Sequence, residues 1–150
     1  MPAILIIKEE DIGDKAVDTT ISTTKMQESK AFYREYFNFK LVYESDWYLE
    51  LIAPDGGPAF GISFTLPQRE AGEFFSGTGL ILSFEVTDVD AEYERLRAAG
   101  LGIVQELQDK PWGERSFVID DPNGVHIYIY KAIEPTPEYR SAYDSFRSER

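Results

Sequence analysis

The stretch "RSFVIDDPNGVHIYIY", residues 115–130, reads as two strands joined by a tight "DPNG" turn. From Val125 onward the residues alternate strictly. Val125, Ile127 and Ile129 fall on one face, and His126, Tyr128 and Tyr130 on the other. The aliphatic face requires a core. The face carrying three polar-tipped rings meets something wetter, and what meets it decides the function.

Working back along the chain, the same short programme is executed twice. Residues 17–23 have strand character, rich in threonine and β-branched side chains. "TKMQ" offers a capping box, with Thr24 as N-cap and Gln27 three residues on. The helix "MQESKAFYREYF" stacks Phe32 over Tyr36 and Tyr33 over Phe37. Strands "FKLVYE", "WYLELIA" and "AFGISFT" follow, with the turn "PDGG" before the last. The second round opens with "GLILSFEV", which sets Leu80, Leu82, Phe84 and Val86 on one face. The helix "TDVDAEYERLRAAG" is opened by Thr87 or Asp88 and closed by Gly100. "IVQEL", "RSFVID" and "VHIYIY" complete it. "PDG" at 54–56 corresponds to "PNG" at 122–124, and "KLV" at 40–42 to "GIV" at 102–104. The sequence therefore predicts an α+β fold of two βαβββ modules whose sheets curve around a cleft. Module one covers 17–65, a linker 66–78, module two 79–131 and a tail 132–150, all in one domain over 1–150.

The linker carries Phe74 and Phe75, rings that a plain spacer does not need. They dock on a partner subunit, cover the cleft or pack on the chain's own body. In the tail, Tyr139, Tyr143 and Phe146 repeat at i, i+4 and i+7, a one-sided helix stripe that docks on its own domain or across a dimer. The first sixteen residues supply an extra edge strand at Ile4 to Ile7 or are frayed.

With 43% hydrophobic and 28% charged residues over 150 positions, the chain has the balance of a globular domain. No apolar run approaches the roughly 20 residues a membrane helix needs. "AILII" at 3–7 is short for a signal core and leads into acidic residues, so a cytoplasmic protein is expected. The absence of cysteine excludes disulfides, thiolate catalysis and cysteine-held metals. A formal charge of −12 argues against nucleic acid and anionic membranes, and draws in a cationic ligand. The same charge also serves plain solubility.

"TKMQESKAFYREYFNFKLV", "SFEVTDVDAEYERL" and "PWGERSFVIDDPNG" at 111–124 together resemble the vicinal oxygen chelate superfamily, which includes glyoxalase I, extradiol dioxygenases and bleomycin-resistance proteins. The resemblance covers about residues 17–131, and its "WGxRxFxxxDPxG" pattern is specific to the superfamily rather than to one activity. It implies a cleft whose enzymes hold a divalent metal with His and Glu from four strands. Carried over one at a time, those positions fall on Asp18, Gly61, Ile81 and Tyr128. Only Asp18 is a metal ligand by chemistry. A non-haem iron triad needs two histidines and a carboxylate, a catalytic zinc about three protein ligands, and this chain has one histidine. Slipping the last strand by one residue would bury Tyr128 and Tyr130 under the helix, which the alternation forbids. A metal-free member with no cofactor is expected.

In the family register His126, Tyr128 and Tyr130 face the cleft, with Asp18, Thr20 and Ser22, with Ile81, Ser83 and Glu85, and with Ala59, Gly61 and Ser63. Trp47, Tyr48 and Trp112 stand near the rim, where aromatic faces stack on planar or cationic groups. The expected ligand-binding set is Asp18, Trp47, Tyr48, Glu85, Trp112, His126, Tyr128 and Tyr130, with no catalytic residue and no metal. Each has a structural reading as well. Trp112 caps one end of the sheet, His126 is a hydrogen-bonded cleft ring, and Tyr128 and Tyr130 line a groove between subunits. Arg115 pairs with a nearby carboxylate. The favoured function is a homodimer that sequesters a small aromatic or cationic molecule. The alternatives are a metal-dependent glyoxalase-type lyase or isomerase with an atypical site, and a metal-free enzyme using Glu85 or His126 as base.

Overall fold

The structure, a computed structural model, describes residues 19–54, 61–67, 75 and 77–148, with side chains as far as 145. Asp18, Ala59, Phe74, the Phe146 side chain, most of the "PDGG" turn and the Ile4 to Ile7 strand lie outside the described residues. The chain divides into two compact units, Met1–Thr78 and Gly79–Arg150.

In the first unit β1 (Thr19–Ser22) leads into α1 (Met26–Phe37), followed by β2 (Lys40–Glu44), β3 (Tyr48–Ile52) and β4 (Gly61–Thr65). The sheet order is β1-β4-β3-β2, with β1 parallel to β4 and the other pairs antiparallel. Alternation sends Leu49, Leu51, Ile62 and Phe64 to one face, where they are buried with Met26, Phe32 and Tyr33 of α1. The aromatic stack forms as the spacing requires, Phe32 to Tyr36 at 5.4 Å and Tyr33 to Phe37 at 6.3 Å between ring centres. Asn38 ends α1 in the left-handed region (φ 56°), and the Phe39 N–H then donates to the Tyr33 carbonyl at 3.1 Å. The capping box is a correction. The Lys25 N–H donates to Thr23 Oγ1 at 2.9 Å, and the Gln27 amide donates to Glu44 Oε1 at 3.0 Å instead of turning back to the helix start. Lys25 stands at the N-cap with no capping side chain, and the buried Thr23 braces the turn ahead of it while Thr24 is exposed.

The second unit repeats the plan. β5 (Ile81–Glu85) and α2 (Val89–Ala98) precede β6 (Ile103–Lys110), β7 (Glu114–Asp120) and β8 (His126–Ala132), in the order β5-β8-β7-β6 with β5 parallel to β8. Asp88 caps α2 by accepting from the Ala91 N–H at 3.0 Å, and Gly100 (φ 86°) follows its last turn. β6 runs past the expected "IVQEL" to Lys110, because Asp109 and Lys110 pair with Arg115 and Glu114 of β7. Charged residues at a sheet edge hide a strand from a hydrophobicity reading. At the hairpin, the buried Asp121 carboxylate accepts from the N–H groups of Asn123 (2.8 Å) and Val125 (2.9 Å), while Gly124 takes φ 82°. This turn fixes the register that pairs Ile127 with Ile119 and Ile129 with Phe117, all fully buried on the face where α2 packs with Val89 and Leu96. The fold is therefore α+β, with two βαβββ modules and a C-terminal helix.

That helix, α3 (Pro137–Ser148), places proline at its first position, where the missing N–H costs nothing. Its approach is tied to the β6–β7 turn of its own unit. Ile133 N–H donates to the Gly113 carbonyl and Thr136 N–H to that of Pro111, both at 2.9 Å. The tail thus docks on its own unit, although Tyr139 and Tyr143 keep substantial exposure. The Phe75 N–H donates to the Ser22 carbonyl at 2.9 Å, so this linker residue is fastened to the end of β1. Among the described residues no helix is long and apolar enough to cross a membrane.

The register makes neighbouring residues on β8 unequal. Ile129→Ala should lower unfolding free energy by about 2–5 kcal/mol, whereas Tyr130→Phe should change it by less than about 0.5 kcal/mol; urea unfolding followed by tryptophan fluorescence measures both.

Candidate functional site

Directly opposed residues in a sheet share a face, so the pairing lays out the open side of the second unit in rungs. Ile81, His126 and Asp120 form one, Ser83, Tyr128 and Val118 the next, and Glu85, Tyr130 and Ser116 the third. Glu114 follows beyond them, opposite Ala132. Tyr128 and Tyr130 lie 5.8 Å apart between ring centres, tilted by 35°. The Tyr128 phenol donates to Glu114 Oε2 at 2.7 Å, and the Trp112 indole Nε1–H donates to the same oxygen at 2.7 Å. One carboxylate thereby orients two aromatic side chains.

Burial, with the adjacent Glu114 carboxylate, holds the Tyr128 phenol above the usual tyrosine range, while the Ser116 hydroxyl acts in the opposite sense. Ser116 Oγ itself is buried with no hydrogen-bond partner among the described residues. Tyr130 is raised too, by burial first and then by Glu85 and Glu114.

Beyond Tyr130 the face runs into a groove of about 600 Å³, walled by Trp112, Gly113 and Glu114 on one side and by Tyr143 and Asp144 of α3 on another. Gly113 is required here. It has φ 103°, and a Cβ would stand 3.1 Å from the Ile133 carbonyl oxygen and 3.2 Å from Pro135 Cβ. The Tyr143 hydroxyl donates to the Trp112 carbonyl at 3.0 Å, and the Trp112 and Tyr139 rings meet edge-on at 6.4 Å. Arg115 takes the pairing role expected of it, reaching Asp90 and Asp109 at 2.9 Å each.

At the opposite end of β8, His126 Nδ1 pairs with the Asp120 carboxylate, and both side chains are exposed. In the first unit the Tyr48 hydroxyl donates to Ser63 Oγ at 2.9 Å, with the Trp47 and Tyr43 rings 5.9 and 6.0 Å from the Tyr48 ring.

Of the eight residues singled out in the sequence, Trp112 and Tyr128 are held by Glu114, Tyr130 stands beside Tyr128, and Glu85 is paired with Tyr130 across β5 and β8. His126 is on the same face at its far end. Trp47 and Tyr48 belong to the first unit, and Asp18 lies outside the described residues. Glu114 went unnoticed in the sequence, although stepping back by twos from Ser116 reaches the ring-bearing face. Tyr143 and Asp144 had no such signal, because only the docking of α3 brings them to the groove. At the register positions of the metal ligands, Gly61 has no side chain, Ile81 offers an alkyl group that is 59% exposed, and Tyr128 a phenol whose proton goes to Glu114. These three do not make a donor set for a divalent cation. Among the described residues no three His, Asp or Glu side chains group closely enough to hold a metal ion.

The sequence profile of the Glyoxalase/Bleomycin resistance protein/Dioxygenase superfamily matches residues 15–129. The chain belongs to this superfamily. A glyoxalase/bleomycin resistance protein/dioxygenase from Nocardioides shares the fold at a TM-score of 0.66 and 22% identity, over 82% of this chain and 87% of that one. TioX from Micromonospora sp. ML1 superposes at 0.61 with 24% identity, covering 79% and 99%. TnmS3, an antibiotic binding protein from Streptomyces sp. CB03234, does so at 0.60 with 24% identity, covering 79% and 95%. Uncharacterized proteins of Mycobacterium bovis and Mycobacterium tuberculosis are 44% identical over 50 residues, 33% of this chain. That match spans 33% of the first relative and 29% of the second, about a third of their length.

A phenol raised in the native state holds its proton more tightly there than in the unfolded chain. Its contribution to stability is intact below the unfolded value near 10 and is lost as pH rises through the folded value. Melting temperature should therefore fall more steeply above pH about 10 in the parent chain than in Tyr128→Phe, as differential scanning fluorimetry across alkaline buffers would record.

Proposed function

We propose that this chain is a metal-free member of the superfamily that binds and sequesters a small aromatic or cationic molecule on the ring-bearing faces of its sheets. The observation carrying this reading is Tyr128. It occupies the register position of the last-strand carboxylate, and instead of an anionic donor it presents a protonated phenol fixed to Glu114. The Tyr128–Tyr130 pair and the Trp112 indole then offer π-faces, and Glu85 and Glu114 offer negative charge. A mostly apolar surface with a few placed polar groups suits recognition of a flat ligand. The fold-level likeness to an antibiotic binding protein supports the same reading. In this proposal Asp18, Trp47, Tyr48 and His126 complete the ligand contacts, and module one (17–65), the linker (66–78), module two (79–131) and the tail (132–150) act as one domain. The protein works in the cytoplasm as a homodimer.

Calorimetric titration with a basic glycopeptide antibiotic and with other aromatic natural products should find at least one ligand of micromolar affinity, weakened about tenfold in Tyr130→Ala. Protein purified in metal-free buffer should carry no stoichiometric metal by elemental analysis. Metal bound one to one, with turnover of methylglyoxal and glutathione, would replace this reading with that of a metal-dependent lyase. Sedimentation velocity at micromolar concentration should return the mass of two chains, and a monomer would remove the dimer from the proposal.

A further inference from the structure

We infer that the groove between the β6–β7 turn and α3 is a subsite for an organic cation, a protonated amine or quaternary ammonium borne by the ligand, and that Lys110, poised at the Trp112 ring, competes with that cation for the indole face. The inference rests on the small-molecule reading above and adds the chemical group recognised and where it sits.

Three observations carry it. The first is charge. Glu114, Glu134, Asp144 and Arg140 all line the groove, and Arg140 pairs with Glu134. Glu114 accepts its hydrogen bonds from two neutral donors, the Trp112 indole and the Tyr128 phenol, so its negative charge remains for a ligand. An anion entering here would meet carboxylates at both walls. The second is the aromatic lining, with Trp112, Tyr130 and Tyr143 all contributing. The third is Lys110. Its ammonium stands 5.8 Å from the centre of the Trp112 ring, within the roughly 6 Å at which a cation is attracted by an indole. The chain thus already places a positive charge against this ring, on a half-buried side chain that stands outside the groove lining.

The walls are set before any ligand arrives. Backbone hydrogen bonds tie residues 133 and 136 to the turn, and the Tyr143 hydroxyl ties α3 to the Trp112 carbonyl. Little ordering is left for binding to impose.

The test compares proflavine, a flat dye that is cationic at neutral pH, with acridine, its uncharged parent ring, by fluorescence titration of the full chain. Proflavine should bind about tenfold more tightly than acridine. Asp144→Asn should weaken proflavine by about threefold and leave acridine unchanged. Lys110→Gln should strengthen proflavine by about threefold, a gain that no folding defect produces. Arg97→Gln removes the same charge from α2, on the other side of the sheet, and should alter neither dye. If Arg97→Gln strengthens proflavine as much as Lys110→Gln does, the effect is net charge and the subsite is overturned. Equal affinities for the two dyes, or failure of both where a natural product binds, overturn the subsite alone. Absence of binding by every ligand overturns the small-molecule reading with it.

Discussion

The alternation along β8 is the constraint on which the rest depends. It lies between β5 and β7, and its Ile127 and Ile129 are fully buried on the side where α2 packs. A slip of one residue would carry His126, Tyr128 and Tyr130 into that core and expose the isoleucines. The Asp121 carboxylate, accepting two backbone N–H groups in the turn just before, holds the strand at the one register that avoids this. Packing on one side thus dictates chemistry on the other.

What the other side receives is a set of rings organised by carboxylates. Glu114 is the centre, since its Oε2 orients both the Trp112 indole and the Tyr128 phenol. Two hydrogen bonds from different parts of the chain stiffen aromatic surfaces that would otherwise sample several rotamers. The first unit builds a simpler version, in which Tyr48 is anchored to Ser63 and flanked by Trp47 and Tyr43. Both units have the same sheet order while their open faces differ.

The C-terminal segment changes the second unit further. Its backbone bonds to residues 111 and 113, together with the close approach permitted by Gly113, turn the end of an open sheet into a walled groove. A side chain at 113 would crowd the Ile133 carbonyl at a backbone φ of 103° that other residues rarely adopt, so this contact depends on glycine as much as on the helix that follows.

The sequence by itself determined the doubled βαβββ plan, because hydrophobic period, caps and turns are local and act within a few residues. It marked the face on which Tyr128 and Tyr130 stand, since strand alternation needs nothing beyond neighbours, but Glu114 on that face went unnoticed. It misplaced the first helix cap, because the N-cap falls one residue later, on Lys25, and Gln27 turns to Glu44 instead of back to the helix start. Only the tertiary structure decided that Trp112 and Tyr128 meet at Glu114 while His126 turns to Asp120, and that Tyr143 and Asp144 reach the groove that Glu114 lines. Those relations join residues up to about thirty positions apart through packing and hydrogen bonds, and no spacing rule along the chain encodes them.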